Sequence, residues 1–234
     1  MSKFNDNIKD WYKIAQVNGT GVERTKDKNY KKHLIDPCMM ISIIGSTGAG
    51  KSKIICEFLS RKNDVFYEIV IFSGSTVEEP LYDFLKKKIP EIQLIDNVSL
   101  LPELDLKTID KKQEKLIVFD DIINLSSKDL KKIQVWYNSA RKGGYTAIVM
   151  AQNFSNLPVQ IRRNTMIFFI FRLNDTTTIT HLLKTHNSDN IPMNILKDMY
   201  IDATSKKGDF FKIDFINNTY SHNFTDILKP EDYK

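Results

Sequence analysis

The 234-residue sequence has only two cysteines, Cys38 and Cys56. They form no C-x-x-C pair and no larger framework of spaced thiols, which excludes a disulfide scaffold and leads to the expectation of a reduced, intracellular protein. Long apolar runs are also missing. None approaches the ~18 residues of a membrane-spanning helix, and the opening residues Met1-Ser2-Lys3-Phe4-Asn5-Asp6 lack the apolar core of a signal peptide. The expectation is a soluble chain with no membrane span. Neither sign of charge dominates: 34 basic residues against 29 acidic leave a net +5, which permits nucleic acid as a partner without demanding it. Internal repeats and low-complexity linkers are absent, so nothing obvious divides the chain. With 41% hydrophobic residues it can bury a substantial core, and its length suits one α/β domain.

What is present is organised around Gly45-Ser46-Thr47-Gly48-Ala49-Gly50-Lys51-Ser52. This stretch fits the phosphate-binding pattern G-x-x-x-x-G-K-[ST] at every fixed position, a coincidence expected on the order of once in a hundred chains of this length. The apolar run 40–44 before it reads as a buried strand, and 53–59 after it as the first turns of a helix. A phosphate-binding loop needs that frame. Gly45, Gly48 and Gly50 let the backbone take positive φ and bring its N–H groups close to phosphate oxygens. The helix N-terminus adds partial positive charge where the anion sits. In this pattern Lys51 neutralises β- and γ-phosphate oxygens of ATP and the Ser52 hydroxyl ligates Mg²⁺. The bland alternative is a glycine-rich turn with an exposed lysine.

Hydrophobic periodicity predicts the other elements. Phe4, Ile8, Trp11, Tyr12 and Ile14 recur at helical spacing, so an amphipathic helix is expected over 1–17, followed by a basic connector over 18–33 read as a solvated loop. Strands are expected at 66–72, 92–95, 115–121, 145–151 and 166–171, and helices at 78–88, around 157–163, at 175–187 and at 192–205. Another helix, N-capped by Ser126 or Ser127, ends at Arg141-Lys142-Gly143-Gly144. The segment 97–107 has no assignable form. A terminal hairpin pairs 210–215 with 219–224 across Asn217-Asn218. Alternating strands and helices predict an α/β three-layer sandwich on a mostly parallel central sheet.

In such a sheet, ligands bind outside the carboxyl ends of the strands. The strand of four apolar residues Leu116-Ile117-Val118-Phe119 reads as buried on both faces and ends in Asp120-Asp121. Asp120 matches the acid that holds Mg²⁺ beside Ser52, and Asp121 can orient and deprotonate the attacking water. Successive strand residues face opposite sides, so the two acids cannot act equivalently within a strand. Gln152 ends the next strand, where an amide can sense the γ-phosphate or hold water. Two further strand-like runs lie between Lys51 and Asp120, which favours the class in which another strand separates the phosphate-loop strand from the acidic strand, the class that contains ring motors.

Together with Ala147-Ile148-Val149-Met150-Ala151-Gln152-Asn153, the segment Leu157-Pro158-Val159-Gln160-Ile161-Arg162-Arg163-Asn164 and the strand that follows, these motifs resemble the genome-packaging ATPases of poxviruses, other large nucleo-cytoplasmic DNA viruses and virophages, within the FtsK/HerA superfamily. The resemblance covers about 35–225, and makes 35–234 the ATPase domain and 1–34 a leading helix and connector. It implies a homo-oligomeric ring, pentamer or hexamer, hydrolysing ATP with Mg²⁺ at subunit interfaces. Double-stranded DNA would be threaded through the centre, a capsid or portal-vertex protein would be the docking partner, and the location would be the host cytoplasm or the virion. An arginine from one subunit would complete its neighbour's site, with Arg162, Arg163 and Arg141 as candidates. Asp121 departs from the pattern, because glutamate is commoner there. A cellular HerA-type translocase and a nucleotide-dependent switch are the competing readings; a small-molecule kinase lacks an acceptor lid.

Overall fold

The runs Met40–Ile44, Glu114–Asp120, Tyr145–Ala151 and Ile167–Phe171 are buried along nearly their whole length, as strands must be when helices cover both faces of a parallel sheet. In the computed structural model the elements are β1 (Met40–Ile44), α1 (Lys51–Arg61), β2 (Phe66–Ser73), α2 (Pro80–Lys88), β3 (Gln93–Ile95), β4 (Glu114–Asp120), α3 (Ser127–Ala140) and β5 (Tyr145–Ala151). They continue with α4 (Val159–Asn164), β6 (Ile167–Phe171), α5 (Thr176–Thr185), α6 (Met193–Ala203), β7 (Phe210–Asp214), β8 (Thr219–His222) and β9 (Asp226–Leu228). The structure describes residues 26–62, 64–74, 79–104, 114–187 and 191–233. The helix expected over 1–17 lies outside them.

One sheet runs in the order β3-β2-β4-β5-β1-β6-β7-β8-β9. Its first six strands are parallel and the last three turn back antiparallel. Side chains alternate between two cores. Met40, Ile44, Val70, Phe72, Ile117 and Phe119 pack with α3, α4, α5 and α6 on one face, while Ile41, Ile43, Ile69, Ile71, Leu116 and Val118 pack with α1 and α2 on the other. This is the period of two expected of strands, and it yields the three-layer sandwich that the sequence predicts. The one polar side chain inside β1, Ser42, is satisfied by Thr165 at 2.7 Å; Thr165 in turn donates to Ile161 O at 2.9 Å, which ties the end of α4 to the phosphate-loop strand.

The strand between β1 and β4 is β5. The separation expected from the sequence is present, but neither run in the Lys51–Asp120 interval supplies it: β2 and β3 lie beyond β4, toward the edge. The terminal hairpin gains a third strand, β9, whose three residues are too few for a periodic signal. Within 97–107, Val98–Leu100 forms a single 3-10 turn.

The connector is solvated only in part. In its described part, from residue 26 on, Lys26, Lys28, Lys31 and Lys32 are exposed as expected, but Asp27 and His33 anchor it against the amino ends of the strands. Lys62 Nζ, wholly buried, donates to both oxygens of Glu114 at 2.7 and 2.9 Å, Thr146 donates to the same carboxylate, and Asp27 stands 3.6 Å from Lys62. His33 pairs with Asp27 at 3.2 Å, and burial pushes its pKa down to about 4, so it is neutral at pH 7. The sequence misleads here because the anchoring residues carry charge and only their partners, Lys62 and Glu114, reveal that they are buried.

Candidate active site

The phosphate-binding loop leaves β1, whose last residue pairs with Ala151 of β5, and enters α1 through Gly50, which has φ of 111°. Glycine adopts this left-handed conformation without the Cβ penalty of other residues. No side chain caps α1, so its first-turn N–H groups remain available to an anion, as at helix N-termini that bind phosphate. Lys51 Nζ donates to Gly45 O at 2.7 Å and to Ser46 O at 3.2 Å, which holds the ammonium across the loop. Burial lowers its pKa, opposed by the carboxylates of Asp120 and Asp121.

An open cavity of about 410 Å³ joins Thr47, Gly48, Gly50, Lys51 and Ser52 to Asp120, Asp121 and Gln152. The carboxyl ends of β1, β2, β4 and β5 therefore meet at one place, as they do in open α/β sheets generally. Asp120 is the last residue of β4, and Tyr82 OH donates to its Oδ2 at 2.7 Å. Burial raises the pKa of the Asp120 carboxyl, while the Tyr82 hydroxyl and the Lys51 ammonium oppose the shift. Asp121 has left strand geometry: at φ 50° and ψ 48° it occupies the left-handed region and opens the 3-10 turn Ile122–Asn124. This resolves the facing problem posed by two adjacent strand acids, because the turn lets both line the cavity.

That turn depends on Gly74 at the end of β2. Gly74 N donates to Asp120 O at 2.9 Å, and a Cβ built on Gly74 would stand 2.4 Å from Asp121 O. The obstacle is backbone, which cannot swing aside. Gly74→Ala is expected to lower stability by about 1–3 kcal/mol, the usual cost of overpacking, and to displace Asp121. A thermal melt measures the first, and an ATPase assay at a temperature where the variant is fully folded measures the second.

Two residues that sequence reasoning missed also enter the site. Glu79 N-caps α2, accepting from Leu81 N through Oε1 at 3.3 Å and from Ser52 Oγ through Oε2 at 3.2 Å. Tyr82 follows one turn later and is 3% exposed. The available signal was an acid followed by proline, the signature of a helix start, just after a strand end that the sheet was expected to bring near the loop.

The arginines stand elsewhere. Neither Arg162 nor Arg163, in the last turn of α4, lines the cavity. The Arg162 guanidinium lies over Phe154 at 4.9 Å, with its buried Nε lacking a hydrogen-bond partner; Arg163 is exposed. Arg141 sits in the turn leading to the amino end of β5, opposite the cavity.

A magnesium ion fits this donor set. Among the described residues no group of three or more His, Cys, Asp or Glu is placed to hold a metal. Mg²⁺ instead takes one or two protein oxygens, with substrate phosphates and water completing its shell. Ser52 and Asp120 supply such a pair.

Fold and site together define a P-loop NTPase fold in which one strand separates the phosphate-loop strand from the acidic strand. By sequence, no protein-family model and no curated protein matches the chain. Among solved structures it is similar to the genome-packaging NTPase B204 of Sulfolobus turreted icosahedral virus 2 in complex with AMPPCP, with a TM-score of 0.54 and 12% identity over 84% of this chain and 100% of that one. B204 of Sulfolobus turreted icosahedral virus, described as a DNA-packaging ATPase, gives a TM-score of 0.55 and 14% identity over 84% and 99%. EssC (ATPases 2 and 3) from Geobacillus thermodenitrificans gives 0.51 and 13% over 82% of this chain and 40% of that one. No helix among the described residues is long and apolar enough to cross a membrane.

Proposed function

We propose that this chain is an ATP-driven motor that moves double-stranded viral DNA into a preformed capsid, working as a homo-oligomeric ring of five or six subunits with ATP hydrolysed at their interfaces. The observation that carries the reading is the convergence of Lys51, Ser52, Asp120, Asp121 and Gln152 on one cavity, in a fold shared along the full length of a genome-packaging NTPase. In this reading 35–234 is the ATPase domain, 1–34 is a leading segment anchored to it through Asp27 and His33, a capsid or portal-vertex protein is the docking partner, and the motor works in the host cytoplasm or the virion.

The residues divide the work by position. The loop from Gly45 to Ser52 wraps the phosphates with backbone N–H groups, and Lys51 exchanges its carbonyl partners for phosphate oxygens. Ser52 and Asp120 would hold Mg²⁺, which when bound neutralises charge on the β- and γ-phosphates. Asp121, freed from the strand by its left-handed backbone, takes the proton of the attacking water, and Gln152 orients that water. Arg162 and Arg163, which do not line their own subunit's cavity, serve the neighbour's. A guanidinium there offsets charge developing on the transferred phosphoryl group.

The deciding experiment measures ATPase activity and subunit stoichiometry with and without long double-stranded DNA. A motor of this kind gives DNA-stimulated turnover from a ring. Slow, DNA-independent turnover would identify a nucleotide-dependent switch instead. DNA should be held by its phosphates, since a packaging motor must accept every base. Affinity is then expected to fall steeply with salt, log K declining against log [salt] with a slope of about −0.9 per phosphate neutralised. Filter binding or anisotropy at several salt concentrations measures this, and a flat salt response with strong preference for one short sequence would refute it.

A further inference from the structure

Both groups assigned to Mg²⁺ are held by side chains from the start of α2. Tyr82 OH donates to Asp120 Oδ2 at 2.7 Å. Glu79 Oε2 accepts from Ser52 Oγ at 3.2 Å, while Oε1 of the same carboxylate caps α2 through Leu81 N. The spacing of three puts Glu79 and Tyr82 on the same turn, so one rigid element grips the hydroxyl and the carboxylate at once. A serine hydroxyl has one proton and two lone pairs. Donating the proton to Glu79 turns the lone pairs of Ser52 away from that carboxylate and leaves them free to bind a cation. Asp120 receives Tyr82 on Oδ2 and a backbone N–H from Asp121, and a carboxylate with about four lone-pair sites still has capacity for a cation or its water. Each contact therefore fixes a rotamer without consuming the acceptor that a metal needs.

Resting on the ATPase reading above, we propose that Glu79 and Tyr82 are positioning residues for the Mg²⁺ of bound nucleotide: they orient the Ser52 hydroxyl and the Asp120 carboxylate through hydrogen bonds and touch neither Lys51 nor the backbone N–H groups that wrap the phosphates. Removing partners that orient metal ligands commonly weakens metal affinity by about 10–100-fold. The effect should therefore appear only where the metal takes part in binding.

The test is calorimetric titration of ADP into wild type, Tyr82→Phe and Glu79→Gln, each in EDTA and in excess MgCl₂. Tyr82→Phe deletes only the hydroxyl. Glu79→Gln keeps the shape and a carbonyl oxygen for Leu81 N. Both variants are expected to bind ADP in EDTA as wild type does and to lose about tenfold or more of the affinity that Mg²⁺ adds. Equal weakening in both conditions would overturn the proposal, because it would mean general support of the loop; unaltered affinity in both would overturn it as well. Should Tyr82→Phe fail to fold, judged by its thermal melt, Glu79→Gln decides alone. A wild-type protein that binds no ADP in either condition would instead refute the nucleotide-site reading on which the proposal rests.

Discussion

Asp121→Asn is expected to bind ATP and Mg²⁺ as wild type does while hydrolysing ATP about 10²–10⁴-fold more slowly, the range that positioned acid–base groups contribute. The amide can still orient water, but it cannot accept the proton. The structure strengthens the case for separating this residue from its neighbour. Asp120 ends β4, takes a hydrogen bond from Tyr82 and is raised in pKa by burial, whereas Asp121 turns out of the strand at φ 50°. Single-turnover hydrolysis alongside equilibrium nucleotide binding distinguishes the two jobs. A variant that loses Mg²⁺ affinity while retaining its rate at saturating metal would reverse the assignments of Asp120 and Asp121.

Mixing two inactive proteins should restore activity. Lys51→Ala lacks the ammonium that compensates phosphate charge and is expected to lose ATP binding as well as hydrolysis. The double variant Arg162→Ala, Arg163→Ala keeps its loop but is expected to lose about 10³-fold or more in rate, as when an arginine supplied by a neighbour is removed. If these arginines serve the adjacent subunit, a mixed ring contains interfaces that pair an intact Lys51 with an intact Arg162 and Arg163. If they act within their own subunit, no mixed interface gains anything. Arg162 stacks over Phe154 and Arg163 projects from the end of α4, both outside the cavity that holds Lys51, so the mixing experiment decides between action in trans and no catalytic role. ATPase assays over a range of mixing ratios, with DNA present, provide the measurement. Zero activity from rings demonstrated to be mixed would sink the trans assignment.

The parts of the site that were legible in the sequence are those encoded locally. The loop from Gly45 to Ser52 is contiguous, and its glycines, lysine and hydroxyl act through backbone conformations and short side chains that a motif specifies directly. Asp120, Asp121 and Gln152 could be found because each follows an uninterrupted apolar run, and a strand buried on both faces delivers its terminal residue to the edge of the sheet. Ser126 marked the start of α3 because its side chain accepts from Asp129 N, an interaction spanning three residues. For Glu79 and Tyr82 the acid–proline pair marked only a helix start and not the contacts made there. Their contacts with Ser52 and Asp120 span 27 and 38 residues.

By itself, then, the amino-acid order determined the alternation of strands and helices, the apolar strands of a covered sheet, and a phosphate-binding loop between β1 and α1. Those properties follow from side-chain period and local backbone preference. Tertiary structure decided that β5 inserts between β1 and β4, that Asp121 leaves the strand beside Gly74, that α2 grips Ser52 and Asp120, and that Lys62 and Glu114 bury a charge pair beneath the connector. Strand order and buried ionic partners are choices among distant segments with similar local patterns. Hydrogen-bonded pairing and close packing make that choice only when the whole chain comes together.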